Sequence, residues 1–261
     1  MRFINLVFIL ILFGCKKQSY QTVNVFGHAG MGLDMQNSIY HDNTLEAIEL
    51  ALSYNGSNGV EVDVQMDSQG CLWLFHNELM DGVLSLKGCI NEKATIELEN
   101  VTYNTLKKEK LQKLQNILKS IPSSQKLFLD IKSFNACSGL SVDRTSFISS
   151  IQKLNIGHLE NVYLIVSDEN WLNEFDSSFN LLFSTDDLTY AKDLFDKYSN
   201  LDGIVIRNKM IQTSEVEVIS NLGKSVFLYD LRSPKGNRQA LEKKPTGIIT
   251  DDIRAALIER D

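Results

Sequence analysis

From Val23 onward the hydrophobic and polar positions alternate between two rhythms. Short runs repeat with period two and are rich in β-branched and aromatic residues, and between them longer stretches place apolar residues every three or four positions. The first rhythm predicts strands over Val23 to His28, Gly59 to Met66, Cys71 to His76, Lys126 to Lys132, Asn161 to Val166, Asn180 to Ser184, Gly203 to Arg207, Ser225 to Tyr229 and Thr246 to Thr250. The second predicts helices over Thr44 to Tyr54, Lys110 to Ile121, Arg144 to Leu154, Leu188 to Tyr198, Glu215 to Leu222 and Asn237 to Lys243. Eight or nine strands with helices between them suit a closed parallel barrel better than an open sheet. The expected fold class is therefore α/β, a (β/α)8 barrel of the TIM type in one domain. Gly82 to Thr105 breaks the rhythm and is expected to be a small insertion over one barrel end, after the second to third strand. A doubly wound sheet is the alternative, but the chain has no GxGxxG or Walker loop to go with it.

Composition narrows the picture. The chain has 261 residues, 43% of them hydrophobic, which is enough for a sizeable core. With 26 Lys and Arg against 33 Asp and Glu, the net charge is -7. Such a molecule repels a polyanion at long range, which argues against nucleic acid as a partner. The front of the chain stands apart. Arg2 is followed by an apolar run from Phe3 to Phe13, too short for the roughly 18 to 20 residues that span a bilayer but right for a secretory signal. Leu12-Phe13-Gly14-Cys15 resembles a bacterial lipobox, which makes Cys15 the expected lipidation site. An ordinary signal peptide with Cys15 near its cleavage point is the plainer reading. The expected organisation is a signal over 1–15, a tether over 16–22 and a barrel domain over 23–261, exported and lipid-anchored to a bacterial cell-envelope membrane, in the periplasm or on the outer surface. Export would allow a disulfide among Cys71, Cys89 and Cys137. Cys71 with Cys89 is one option, and spacing alone does not decide the pairing.

Candidate chemistry sits on the strands. In Gly59 to Met66 the alternation puts Val60, Val62, Val64 and Met66 on one face and Glu61, Asp63 and Gln65 on the other. If the valines pack on outer helices, Glu61 and Asp63 project into the barrel with Cα atoms about 6.6 Å apart. Lys126 to Lys132 repeats the logic, with Asp130 and Lys132 on the inward face. Three carboxylates held together in a poorly solvated interior need a cation, and oxygen ligands without nearby His or Cys clusters suit one divalent Mg²⁺ or Ca²⁺ rather than zinc. Taken alone, Gly59 to Met66 would be a solvent-facing polar edge; the second strand shifts the reading. His28 and His76 close two of the predicted strands, on the rim where barrel enzymes carry their chemistry. His41 and His158 are expected to be ordinary surface residues. The tryptophans and most phenylalanines are expected in the core.

Six short pieces then occur in one order: Gly27-His28-Ala29-Gly30, Asp42-Asn43-Thr44-Leu45-Glu46-Ala47, Gly59-Val60-Glu61-Val62-Asp63-Val64, Phe75-His76-Asn77, Leu129-Asp130-Ile131-Lys132 and Gly247-Ile248-Ile249-Thr250-Asp251. Together they resemble the glycerophosphodiester phosphodiesterase family, within the phosphatidylinositol-phospholipase-C-like group, in a lipoprotein form. The resemblance implies His28 and His76 as catalytic acid and base, Glu61, Asp63 and Asp130 as ligands of one divalent cation, and Lys132 on the substrate phosphate. It also implies a small-molecule or lipid phosphodiester as substrate, cleaved to an alcohol and glycerol phosphate.

Several positions depart from the family pattern. Ala29 stands where the family usually has Arg, so Arg207 is a further candidate for the phosphate. Asp42 and Asp130 each stand where the family has Glu, and Tyr229 where it often has Trp. Asp130 at the third metal position, together with a histidine not followed by Arg, looks closer to the sphingomyelinase D-like and lysophospholipid-cleaving branch. A phosphoester-binding lipoprotein without turnover, and a glycosidase using two acids, are the competing readings.

Overall fold

The structure, a computed structural model, describes residues 19–33, 35, 38–154, 159–175 and 178–261. The signal, Cys15, the first part of the tether and His158 lie outside the described residues. Eight parallel strands form the barrel: β1 (Asn24–Gly27), β2 (Gly59–Met66), β3 (Lys126–Ile131), β4 (Val162–Val166), β5 (Asn180–Ser184), β6 (Leu201–Arg207), β7 (Ser225–Tyr229) and β8 (Gly247–Thr250). Each pairs with its neighbour in sequence, and β1 closes the ring by pairing with both β8 and β2. Tyr20, expected in the tether, is buried and donates its backbone N–H to the Arg260 carbonyl at 2.8 Å, so the barrel floor begins there.

Alternation sorts the side chains as the pattern implies. Val60, Val62 and Val64 of β2 and Leu127, Leu129 and Ile131 of β3 join the outer core, between the barrel and its helices. Inside lies a separate cluster of Phe26, Phe128, Ile165, Leu182, Val205, Phe227 and Ile249, with Tyr163 and Tyr229 packed on it. Its rings are in contact, with Phe26 and Phe128 centroids 4.6 Å apart and Phe128 and Phe227 5.0 Å apart. The interior is thus plugged by aromatic groups, and chemistry is confined to the rim above them. Gly59 permits the start of β2 at φ 144°, because a Cβ there would lie 1.9 Å from the Lys126 carbonyl oxygen.

Helices cover most crossovers. Leu45–Ser53 is capped by Thr44, whose hydroxyl accepts from Ala47 N, and Pro234–Glu242 by Ser233, which accepts from Gly236 N. Ile253–Arg260 closes the chain behind its Asp252 cap. The crossover from β4 to β5 is built on the single turn Glu169–Trp171, whose buried Trp171 packs edge-on against Phe147. Among the described residues no helix is long and apolar enough to cross a membrane.

Two expectations need correction. The stretch Lys110 to Ile121 is helical only over Leu114–Ile117, because Gln112–Lys113 is taken up as a strand beside Leu72–Leu74. The run Cys71 to His76 is no barrel strand either. Leu72–Leu74 turns back antiparallel on the upper half of β2, pairing Val64 with Leu74 and Met66 with Leu72. These residues belong to the inserted excursion, which has its own core of Trp73, Phe75, Met80, Leu84, Ile90, Leu98, Val101, Tyr103 and Leu111.

A disulfide joins Cys89 of this excursion to Cys137, in the hairpin Phe134–Asn135 and Leu140–Ser141 that follows β3. Cys71 is a free thiol, so the Cys71 with Cys89 option is not the one realised. The bond separates its partners by 48 residues, a loop whose closure restricts the unfolded chain by about 4 kcal/mol in the entropy model. Replacing both cysteines by Ala is expected to lower unfolding stability by roughly 2–4 kcal/mol, read as a lower urea midpoint. An unchanged midpoint would show that the excursion is held by its own core alone.

Candidate active site

Barrel register brings the acids together. β2 and β3 pair Asp63 directly with Asp130 and Glu61 with Phe128, so two carboxylates share one rung and the third sits one layer below. Ligand oxygens of Glu61, Asp63 and Asp130 lie within 4.8 Å of one another. Lys132, from the same face of β3, reaches back with its Nζ 2.7 Å from both Asp63 and Asp130. Donors from the loops complete the shell. The Ala29 backbone N–H donates to Glu61 at 2.9 Å, and the Asn43 side-chain amide donates to Asp63 at 2.7 Å while accepting the Asp63 N–H at 3.0 Å. Ala29 and Asn43 adopt left-handed backbone, φ 47° and 57°, which aims those groups inward.

His28 continues β1, its N–H donating to the Thr250 carbonyl at the end of β8. Its Nδ1 is 2.7 Å from Asp251 Oδ1, and its Nε2 faces Glu61 at 3.7 Å. Burial disfavours the imidazolium, yet the Asp251 hydrogen bond and the charges of Glu61, Asp251 and Asp63 outweigh it and raise the ring to about 9. Burial and the neighbouring Asp63 push Glu61 above the usual carboxylate range. Asp63 is held below it, because Lys132 overcomes the effect of burial. Lys132 in turn is raised: burial opposes its charge, and Asp63 and Asp130 prevail.

His76 arrives by an unexpected route. The returning strand Leu72–Leu74 descends along β2, Phe75 N–H donates to the Asp63 carbonyl at 3.1 Å, and the next residue is set beside the acids. Gln65, inward-facing on β2, fixes this turn by donating to the Phe75 and Asn77 carbonyls at 2.9 and 2.8 Å. His76 Nδ1 lies 3.0 Å from Asn77 Oδ1.

All seven of the expected site residues in the barrel line one cleft of about 460 Å³: His28, Glu61, Asp63, His76, Asp130, Lys132 and Arg207. Arg207 stands at its edge, with Nε 3.1 Å from the Tyr229 hydroxyl and 3.5 Å from Asp186. Asp251 and Arg232 also line the cleft, and neither they nor Asn43 had been assigned a role from sequence. Asp251 carried a usable signal, as the residue following the last barrel strand. His41 is not an ordinary surface residue: its ring stacks on buried Tyr103 at 4.1 Å and lies 3.2 Å from Asp42 Oδ1. It joins the loop bearing Asn43 to the excursion, since His41 N–H also donates to Glu109.

The donor set suits a hard divalent cation. Three carboxylates converge where Lys132 and His28 are the balancing cations, the ligand atoms are all oxygen, and Asp63 is oriented by Asn43 from outside the shell.

Residues 28–148 match the family model described as the Glycerophosphoryl diester phosphodiesterase family. A Glycerophosphodiester phosphodiesterase of Bacillus altitudinis is 32% identical over 75 residues, so the match spans 29% of this chain and only 28% of that protein. A phosphodiesterase of Oleispira antarctica, solved with the product sn-glycerol-3-phosphate, superposes with TM-score 0.77 at 17% identity, covering 93% of this chain and 99% of that one. The glycerophosphodiester phosphodiesterase of Thermotoga maritima gives TM-score 0.70 at 21% identity, covering 90% and 96%. These structural likenesses establish the barrel.

Asn43→Gly keeps the left-handed backbone while removing the amide that orients Asp63. It is expected to weaken Mg²⁺ or Ca²⁺ binding by about 10–100-fold, measured by calorimetry, with the circular dichroism spectrum unchanged. Unaltered affinity would show that Asp63 needs no such support.

Proposed function

We propose, from the premise that this chain belongs to the glycerophosphoryl diester phosphodiesterase family, that it hydrolyses a glycerophosphodiester to an alcohol and glycerol phosphate. The observation that carries this is the meeting of three acids and two histidines in one cleft. The product in the Oleispira structure supports the same substrate class here. A divalent cation held by Glu61, Asp63 and Asp130 would supply neutralisation of the phosphate charge.

The histidines divide the proton work. Asp251 keeps the proton on His28 and orients the ring, which suits His28 to protonate the leaving alkoxide. His76 presents Nδ1 to the amide oxygen of Asn77, an arrangement in which Nδ1 carries the proton and Nε2 is left as the base. In the reaction Nε2 takes a proton from the attacking water, or from a neighbouring substrate hydroxyl, in which case the cyclic phosphate so formed is opened by water in a second step to give glycerol phosphate. The new P–O bond forms, the P–O bond to the alcohol breaks, and His28 returns a proton to the departing oxygen. Lys132 holds Asp63 and Asp130 in place and adds positive charge beside the phosphate.

A lysophospholipid or sphingomyelinase D-like substrate is the second reading, favoured by Ala29, which offers no side-chain donor to a small headgroup diester. An exported, lipid-anchored location belongs to the same proposal and rests on Met1 to Cys15. Cys15→Ser is expected to move the protein from the detergent-soluble membrane fraction to the aqueous fraction. Equal partition of both forms would remove the anchor from the account.

The reaction is tested on a panel of glycerophosphodiesters and lysophospholipids, with Mg²⁺, Ca²⁺ or chelator, and products identified by mass. Chelator-sensitive cleavage is expected. His28→Ala and His76→Ala should each lose about 10²–10⁴-fold in kcat. An activated diester with a nitrophenol leaving group should restore much of the loss in His28→Ala alone, because a good leaving group needs no acid. No cleavage with any metal would leave a binding lipoprotein, and chelator-insensitive activity would point to a different chemistry.

A further inference from the structure

A bound phosphodiester brings negative charge to a cleft that already holds buried acids, so the available cations decide how it is gripped. Lys132 is committed, with its ammonium 2.7 Å from each of two carboxylates. Ala29, beside His28, is fully buried, and its N–H is already given to Glu61. Arg207 leans on the Tyr229 hydroxyl and Asp186 at the edge.

Arg232 differs from these. It sits just past β7 and lines the cleft, and its Nε is 3.5 Å from Asp251 Oδ2 and 3.6 Å from Asp230 Oδ1, loose contacts for a guanidinium. The Asp251 carboxylate is 1% exposed. Its Oδ1 takes His28 Nδ1 at 2.7 Å and the Leu33 N–H at 2.9 Å, whereas its Oδ2 is buried with no hydrogen-bond partner. A buried, unsatisfied carboxylate oxygen is costly unless a cation faces it. The charge facing it here is Arg232, and the same carboxylate therefore anchors the imidazole of His28 on one oxygen and a guanidinium on the other. With Nε turned toward the carboxylates, the terminal Nη pair is the fork left for a bidentate contact to two oxygens of one phosphate.

We propose that Arg232, steered by Asp251, grips the non-bridging phosphate oxygens of the substrate beside His28. The identity of the substrate rests on the phosphodiesterase reading, but the anion site does not. Arg232 is 64% exposed, so its replacement leaves the core intact.

The test measures binding of inorganic phosphate and of sn-glycerol 3-phosphate to the full chain by calorimetry, with Mg²⁺ and with chelator. Arg232→Ala is expected to weaken both at least tenfold and Arg232→Lys less, because an ammonium keeps the charge and loses the fork. Arg207→Ala should weaken them by a smaller factor. Arg207→Ala and Arg232→Lys should melt with the parent, whereas Arg232→Ala, which leaves Asp251 Oδ2 with no cation facing it, should melt lower while keeping the parent's circular dichroism spectrum. On a cleaved diester, Arg232→Ala should raise KM by a factor similar to its loss of phosphate affinity. Phosphate binding indifferent to Arg232 overturns the proposal. So does a fall in kcat with unchanged phosphate affinity, which would make Arg232 a support for Asp251 and His28 only. If no diester is cleaved while phosphate affinity still follows Arg232, the reaction assigned above fails and the anion site stands.

Discussion

The mutual repulsion of Glu61, Asp63 and Asp130 is the constraint around which the rim of this barrel is organised. Their oxygens meet above an aromatic plug that keeps water from below, so their charges are poorly screened. Nearly every polar feature nearby serves to offset that charge. Lys132 bridges two of the acids, the Ala29 N–H and Asn43 amide donate to two, and His28 is drawn into the protonated state beside them. The arrangement holds because barrel closure fixes the register that sets Asp63 against Asp130, and because the valines and leucines behind them are buried against helices. Stability comes from the outer layer, while the inner rim is left in electrostatic tension that a divalent cation would relieve.

The excursion between β2 and β3 is part of the same machinery. β2 extends past its pairing with β3, and its upper half serves as a template for the returning strand that delivers His76. Trp73, whose indole N–H donates to Asp67 at 2.9 Å, locks that turn, and Gln65 holds the segment after it. Tyr103 of the excursion stacks on His41, which precedes the loop of Asn43, and the Cys89–Cys137 bond ties the excursion to the hairpin after Asp130 and Lys132. An insertion that looks peripheral in chain order therefore touches the supports of His76, Asp63 and Asp130.

What was legible in the sequence follows from what is local. Period-two alternation in Gly59–Met66 and Lys126–Ile131 is enough to separate the inward acids from the outward valines and leucines, and the strand count is enough for a barrel. Pairings made by tertiary contact were not legible. Asp251 lies 223 residues from His28, and a single Asp after a strand gives no sign of its partner. Asn43 looked like part of a loop, and His41 like surface, because Tyr103 and Glu109 reach them only after the excursion folds back. Leu72–Leu74 has the composition of a barrel strand, and its direction is set by the tight turn at Asp67–Gly70, where Asp67 accepts from the Gln69 and Cys71 N–H groups. The same competition explains Gln112–Lys113, which pairs with that strand in preference to starting a helix.

Part of the backbone strain is placed at the site. Of the five non-glycine residues with positive φ among the described residues, three, Ala29, Asn43 and Asp230, occur where the chain leaves β1, enters the first helix and leaves β7, while Lys108 and Lys244 lie away from the rim. Each such conformation costs on the order of 1 kcal/mol or more, so a purely structural loop would favour glycine. At Ala29 and Asn43 the left-handed turn points a donor at a buried carboxylate, and at Asp230 it sets a carboxylate 3.6 Å from Arg232 Nε at the cleft. Asn is suited to this backbone and also supplies the amide; Ala supplies only its N–H. The rim thus accepts local strain to hold its donors inward. Ala29 brings no positive charge of its own, and Arg207 and Arg232 line the same cleft from the ends of β6 and β7.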